Sequence, residues 1–269
     1  MRNKLISSIA GAAFSFVASG FAFAADMAVK AMPPVPAPVP YTWTGFYGGL
    51  NVGWSWGQAK DGFDLTSVLG GPPGTVFTDS THPNGAIGGI QIGYNWQATP
   101  NWILGFETDI QASGESASNS FQQTLTFNGG TTTASIFHNE ALEWFGTVRG
   151  RVGYAIWPTA IFYATGGLAY GNISESVSNL KTNTAPGFIA ISNPLLASTT
   201  RTGWTAGGGI EGAVPDTHVT WKVEYLYIDL GTANYNVLGF TRFPPGFPVG
   251  ISTRFTDNVV RVGLNYQFH

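Results

Sequence analysis

Nine ionisable residues fall on one face of segments that alternate apolar and polar: Glu107, Asp109, Glu143, Arg149, Arg151, Glu211, Lys222, Glu224 and Arg261. Five acids stand against four bases, close to balance. If that face turns into a closed interior, such charges persist only when paired and hydrogen-bonded. The expected chemistry is therefore a salt-bridge network. Arg149, Arg151 and Arg261 are its expected hubs, because one guanidinium can bridge two carboxylates. The alternative is a narrow, porin-like solute path lined by the same charges, since intramembrane ionisable groups are functional candidates by default.

Other site chemistries have less support. The four histidines are His82, His138, His218 and His269. No serine motif or carboxylate pair accompanies them at a spacing that would make a triad, so no catalytic residue is assigned and no enzyme is expected. His82 and His138 fall in different connections and lack His-x-x-x-His spacing, so no metal site or cofactor is assigned. The absence of cysteine excludes disulfides, thiolate zinc sites and a lipidated N-terminal cysteine.

The first residues must be set aside before the fold is read. Arg2 and Lys4 precede an apolar run from Leu5 to Gly20, and Ala22-Phe23-Ala24 forms an A-x-A cleavage site, so residues 1–24 read as a signal peptide. Without them the 12 Lys+Arg fall to 10 against 15 Asp+Glu, a formal charge of −5. A chain with no basic stripe is no partner for nucleic acid. Charged residues make up only 10% against 14% aromatics, whereas soluble domains carry about 25% charged residues. Much of the exterior must then face something other than water.

Residues 25–44 read as a Pro-rich linker centred on Pro33–Pro40, an extended spacer. From Gly45 to the end, residues 45–269, eight strands are expected. They lie near 45–57, 85–97, 101–113, 141–154, 160–171, 202–214, 219–229 and 257–268. In the last, Val260, Val262, Leu264, Tyr266 and Phe268 alternate with Arg261, Gly263, Asn265 and Gln267. Strand four sets Leu142, Trp144, Val148, Val152 and Tyr154 against Glu143, Thr147, Arg149 and Arg151.

Connections alternate in length. Gln97–Asn101, Ala155–Thr159 and Pro215–Thr217 are tight turns, whereas 58–84, 114–140, 172–201 and 230–256 are long and rich in Gly, Ser, Thr, Asn and Pro. Outward aromatics collect at both strand ends, as two interfacial girdles would require. The fold class expected is all-β, an eight-stranded antiparallel up-and-down transmembrane β-barrel. Its short turns and both termini would be periplasmic and its long loops external.

Three stretches carry a family resemblance: Trp43-Thr44-Gly45-Phe46-Tyr47-Gly48-Gly49, Tyr163-Ala164-Thr165-Gly166-Gly167-Leu168-Ala169-Tyr170-Gly171 and Val223-Glu224-Tyr225-Leu226-Tyr227-Ile228-Asp229-Leu230-Gly231. With the leader and Pro-rich start, the chain resembles the small outer-membrane immunogenic, porin-like β-barrel family of Gram-negative bacteria. The resemblance implies a cell-outer-membrane surface antigen that supports envelope integrity, and it raises haem binding as an alternative. The terminal strand resembles the signal read by the barrel-insertion machinery, with Gly263, Tyr266 and Phe268 in place, although His269 follows the terminal aromatic.

An eight-stranded barrel is only wide enough for its own side chains to fill, so the expected role is structural, with a lumen plugged by paired charges and loops displayed outside. Expected partners are outer-membrane lipids and lipopolysaccharide, the insertion machinery, and host or phage ligands at the outer loops.

Overall fold

The computed structural model describes residues 41–64, 76–127, 130–181, 195–237 and 249–268. The leader and most of the Pro-rich segment lie outside these described residues. Nine strands follow in order: β1 (Gly45–Asp64), β2 (Val76–Thr81), β3 (Asn84–Gln97), β4 (Trp102–Phe127), β5 (Gly130–Trp157), β6 (Ala160–Lys181), β7 (Leu195–Ala213), β8 (Val219–Val237) and β9 (Val249–Phe268). All pairing is antiparallel in the order β2-β1-β3-β4-β5-β6-β7-β8-β9, and β1 also pairs with β9 from Phe46↔Phe268 to Asp64↔Gly250, which closes the ring.

β2 and β3 are two parts of one wall strand. β1 pairs β3 from Gly45 to Trp56 and β2 from Ala59 to Asp64. The break falls at His82-Pro83, where Pro83 brings no N–H, although its carbonyl accepts from Gly57 N at 2.7 Å. The ring therefore has eight strands around it.

Burial is inverted relative to a water-soluble domain. Leu50 is 66% and Leu264 60% exposed, while Arg149 and Arg261 are each 1% exposed. Alternation along each strand sends apolar side chains outward and polar ones inward. Trp54, Trp56 and Trp204 remain outward near one end, and Trp96, Trp102, Trp221, Tyr266 and Phe268 near the other. The short turns are tight: Trp157 pairs with Ala160 across Pro158-Thr159, and Asp216 adopts a φ of 59° beside Pro215.

Four of the expected long loops are partly strand. β4 and β5 stay paired out to Phe127↔Gly130, and β8 and β9 to Val237↔Val249. These extensions have Ser, Thr, Asn and Gln on both faces, so no hydrophobic alternation marks them in the sequence.

Beyond the aromatic ring, the wall divides. β3 stops pairing with β4 at Asn84↔Ser116, and β7 stops pairing with β8 at Trp204↔Asp229. Two four-stranded walls continue, β2-β1-β9-β8 and β4-β5-β6-β7, separated by seams on opposite sides of the ring. An irregularity lies beside each seam. The β4–β5 register shifts between Ala112 and Glu115. At the other seam, Gly231 has a φ of 70° that suits glycine, and the β8–β9 register shifts between Asp229 and Thr232.

One inward assignment is corrected here. Glu143 is exposed and accepts a hydrogen bond from the Ser174 hydroxyl instead of entering the lumen. The cause is a bulge between Leu142 and Trp144 in the β5–β6 pairing, which breaks side-chain parity. Leu142, expected to face outward, is buried inside with Phe145.

Candidate functional site

Inward parity on β4, β5, β7, β8 and β9 brings together the other eight charges. Glu107, Asp109, Glu211 and Glu224 meet Arg149, Arg151, Lys222 and Arg261, all buried. Each base reaches across the lumen as well as along its own wall. Arg149 donates through Nη1 to Glu224 Oε1 at 2.9 Å and through Nη2 to Asp109 Oδ2 at 3.0 Å. Arg261 donates through Nε to Glu224 Oε2 at 2.7 Å and through Nη2 to Asp109 Oδ2 at 2.9 Å. Lys222 Nζ donates to both oxygens of Glu107, at 2.8 and 2.9 Å. Arg151 binds Glu211 Oε2 at 2.6 Å and stacks 4.1 Å from the Tyr163 ring centroid.

Neutral side chains complete the network. Tyr47 accepts from Arg151 at 3.1 Å and donates to Glu107 Oε2 at 2.7 Å, while Tyr163 donates to Glu224 Oε1 at 3.1 Å. Thr147 relays between Arg149 Nε, at 2.9 Å, and Asp109 Oδ2, at 2.8 Å. Asn265 donates to Glu211, and Gln91 donates to Asn265. Gly263 makes room for the charges, since a Cβ there would meet Lys222 Cγ at 3.3 Å and Gln91 Nε2 at 3.1 Å. Charges alone give no sign of these partners. Only the inward parity of Tyr47, Gln91, Tyr163 and Asn265 marks them.

Apolar layers lie on both sides of the ions. Toward the long connections, Leu142, Phe145, Ile173, Leu226 and Phe255 are among the buried side chains of one cluster. At the short-turn end, Trp43 is 1% exposed among Ile103, Ile161, Tyr163 and Ala213. The strap carrying it is tied down. Trp43 N donates to Gln97 Oε1 at 3.0 Å, and its carbonyl accepts from Gln267 Nε2 at 2.8 Å. Tyr41 packs edge-on against Trp43 and donates to Gln267 Oε1. Burial and the nearby Glu211 push the Tyr41 hydroxyl up to about 12. Trp43 falls within the expected linker, residues 25–44, and no spacing rule reveals that it folds back.

Past the aromatic ring, a different environment begins. Glu140 accepts from Thr81 at 2.9 Å, Asp61 from Thr253 at 2.7 Å, and Glu175 pairs with Arg201 at 2.7 Å. Burial, reinforced by Asp61, pushes the Glu140 carboxyl up to about 8. The two described histidine side chains lie apart: His82 contacts Gln58 at 3.3 Å beside the β2–β3 break, and the His218 ring lies 5.7 Å from Tyr266. The His138 side chain and His269 lie outside the described residues.

A family model described as "Outer membrane protein beta-barrel domain" matches residues 14–268. The chain belongs to this outer-membrane β-barrel family. It is 35% identical to the 31 kDa outer-membrane immunogenic protein of Brucella melitensis over 100% of both chains. It is 31% identical to the 25 kDa outer-membrane immunogenic protein of Brucella abortus, over 93% of this chain and 92% of that one. Among solved structures, the outer membrane protein OprG of Pseudomonas aeruginosa aligns at a TM-score of 0.44 with 12% identity, covering 86% of this chain and 99% of that one. The chain is thus an outer-membrane β-barrel protein whose homologues are immunogenic proteins of that membrane, and its outward apolar band faces outer-membrane lipid.

Proposed function

We propose that this chain is a non-catalytic structural barrel: an envelope scaffold with a plugged lumen that holds its strand extensions and loops on the cell surface. The observation that carries the reading is the ion network around Glu107, bracketed by the Trp43 and Phe255 layers. Displacing Arg149 or Arg261 to make a path would strip buried guanidinium groups of several partners at once, at a cost of several kcal/mol for each uncompensated ion. Small thermal motions do not supply that. In this reading the signal peptide is removed near Ala24, the short turns and N-terminal strap lie in the periplasm, and lipopolysaccharide surrounds the outer ring. Tyr266 and Phe268, outward on the last strand, serve the insertion machinery together with Gly263.

Liposome swelling tests it. Vesicles carrying the refolded full chain should swell in small sugars no faster than empty vesicles. Swelling at a porin's rate would favour the narrow-channel alternative.

A further inference from the structure

The strap ahead of β1 is anchored on both sides of that strand. Trp43 N donates to the side chain of Gln97, the last residue of β3, and the Trp43 carbonyl accepts from the side chain of Gln267 on β9. β3 and β9 are the two strands that flank β1 at this end. Thr44 adds a bond on the β3 side, where its hydroxyl accepts from Gln97 N at 3.0 Å. Tyr41 adds one on the β9 side, through Gln267 Oε1. Both glutamines are themselves fixed at the neighbouring turns. Gln97 Nε2 donates to Pro100 O at 3.0 Å, and Gln267 N donates to His218 O at 2.8 Å.

The indole draws on the rest of the ring. Trp43 shares one buried cluster with Ile103 of β4, Ala155 of β5, Ile161 and Tyr163 of β6 and Ala213 of β7. With the two glutamines, its site is built by β3, β4, β5, β6, β7 and β9, and it is complete only when the last strand is in place. Trp43 and Gln267 stand 224 residues apart in sequence. Contacts of such separation form only after the intervening chain has been ordered. Here that ordering is the pairing of β1 with β9, which sets Tyr47 opposite Gln267. Every other pair of neighbouring wall strands is consecutive in the chain and held by its own connection. The β1–β9 seam has no such connection, so it can part without disturbing a turn.

We propose that residues 41–44 form a closure-dependent clasp, which docks after β9 pairs with β1 and then holds that seam shut, so that it slows unfolding without speeding assembly. A parted seam sets unpaired N–H and C=O groups against lipid. Any path that starts there must also strip the indole from its pocket and break the strap's bonds to both glutamines. The clasp concerns closure and stands whether or not the lumen conducts.

Folding and unfolding rates of the full chain in lipid vesicles, followed by tryptophan fluorescence, test it. Trp43→Ala should unfold about a hundredfold faster than the wild type, the rate equivalent of about 3 kcal/mol for a buried indole. Its folding rate should stay within about twofold, as for contacts made after the transition state. Trp43→Phe, which returns a ring to the pocket, should restore most of the slow unfolding. Folding slowed beyond about twofold, or unfolding less than about tenfold faster in Trp43→Ala, would overturn the proposal. If Trp43→Ala does not fold, the order of events decides. Thr42 is exposed and the chain has no cysteine, so an environment-sensitive dye on Thr42→Cys reports docking with Trp43 intact. During refolding its signal should arrive with or after the fast-running unboiled gel band that marks the closed barrel. A dye signal that precedes that band would overturn the proposal.

Discussion

Glu107→Gln isolates the ion network with almost no change in shape. Glu107 is 2% exposed and lies within 4 Å of all four bases: Lys222 at 2.8 Å, Arg149, Arg261 at 3.5 Å and Arg151 at 3.8 Å. Gln keeps one acceptor, but its NH2 group must face either Lys222 Nζ or the Arg149 guanidinium, donor against donor. The network, balanced at four acids and four bases, gains one uncompensated positive charge. Removing one partner of a buried ion pair costs about 3–5 kcal/mol. At a urea slope of roughly 2 kcal/mol per molar, the unfolding midpoint in lipid vesicles, followed by tryptophan fluorescence, should drop by roughly 1.5–2.5 M. Adding Lys222→Met should recover part of the loss, because the two sites share a contact and their effects are not additive. Glu143→Gln, at the exposed bulge, is the control and should stay within about 0.5 kcal/mol. A loss of that small size for Glu107→Gln would refute the argument that the lumen charges hold one another in place.

Three further outcomes follow from the same contacts. Trp43→Ala should cost about 3–5 kcal/mol, as expected for a fully buried indole, and should lower the temperature at which the unboiled gel band converts to the unfolded mobility. Glu140 titrates well above its usual value of 4.5, so the folded state holds its proton longer than the unfolded chain does. Its contribution is complete below pH 4.5 and fades as pH rises toward 8; melting midpoints should decline across that window in the wild type and decline less in Glu140→Gln. Phe268→Ala should reduce the yield of heat-modifiable barrel in cells, and equal yields would count against its part in assembly.

The strand cores were legible because lipid on one side and a packed lumen on the other force strict alternation, as in Val260 to Phe268. Of the nine charges that parity sends inward, eight are buried in the lumen, while buried Glu115, Glu140 and Asp257 lie in the segments read as loops or at their edge. Parity failed at Glu143, where a bulge inserts one residue; adjacent apolar side chains at Leu142, Trp144 and Phe145, too many for one face, are the only trace. The strand extensions were hidden for a related reason. Past the aromatic ring polar residues occupy both faces of the strands, so the sequence from Ala117 to Thr126 shows little period. The split of one wall strand at Pro83 and the return of Trp43 into the barrel depend on tertiary contacts that no local pattern encodes.

The central claim is that the interior of this barrel is filled by its own side chains. Planar-bilayer recording of the purified, refolded full chain tests that most directly. The account predicts a silent baseline at moderate voltage, and repeated, stable, ohmic steps of porin size would contradict it.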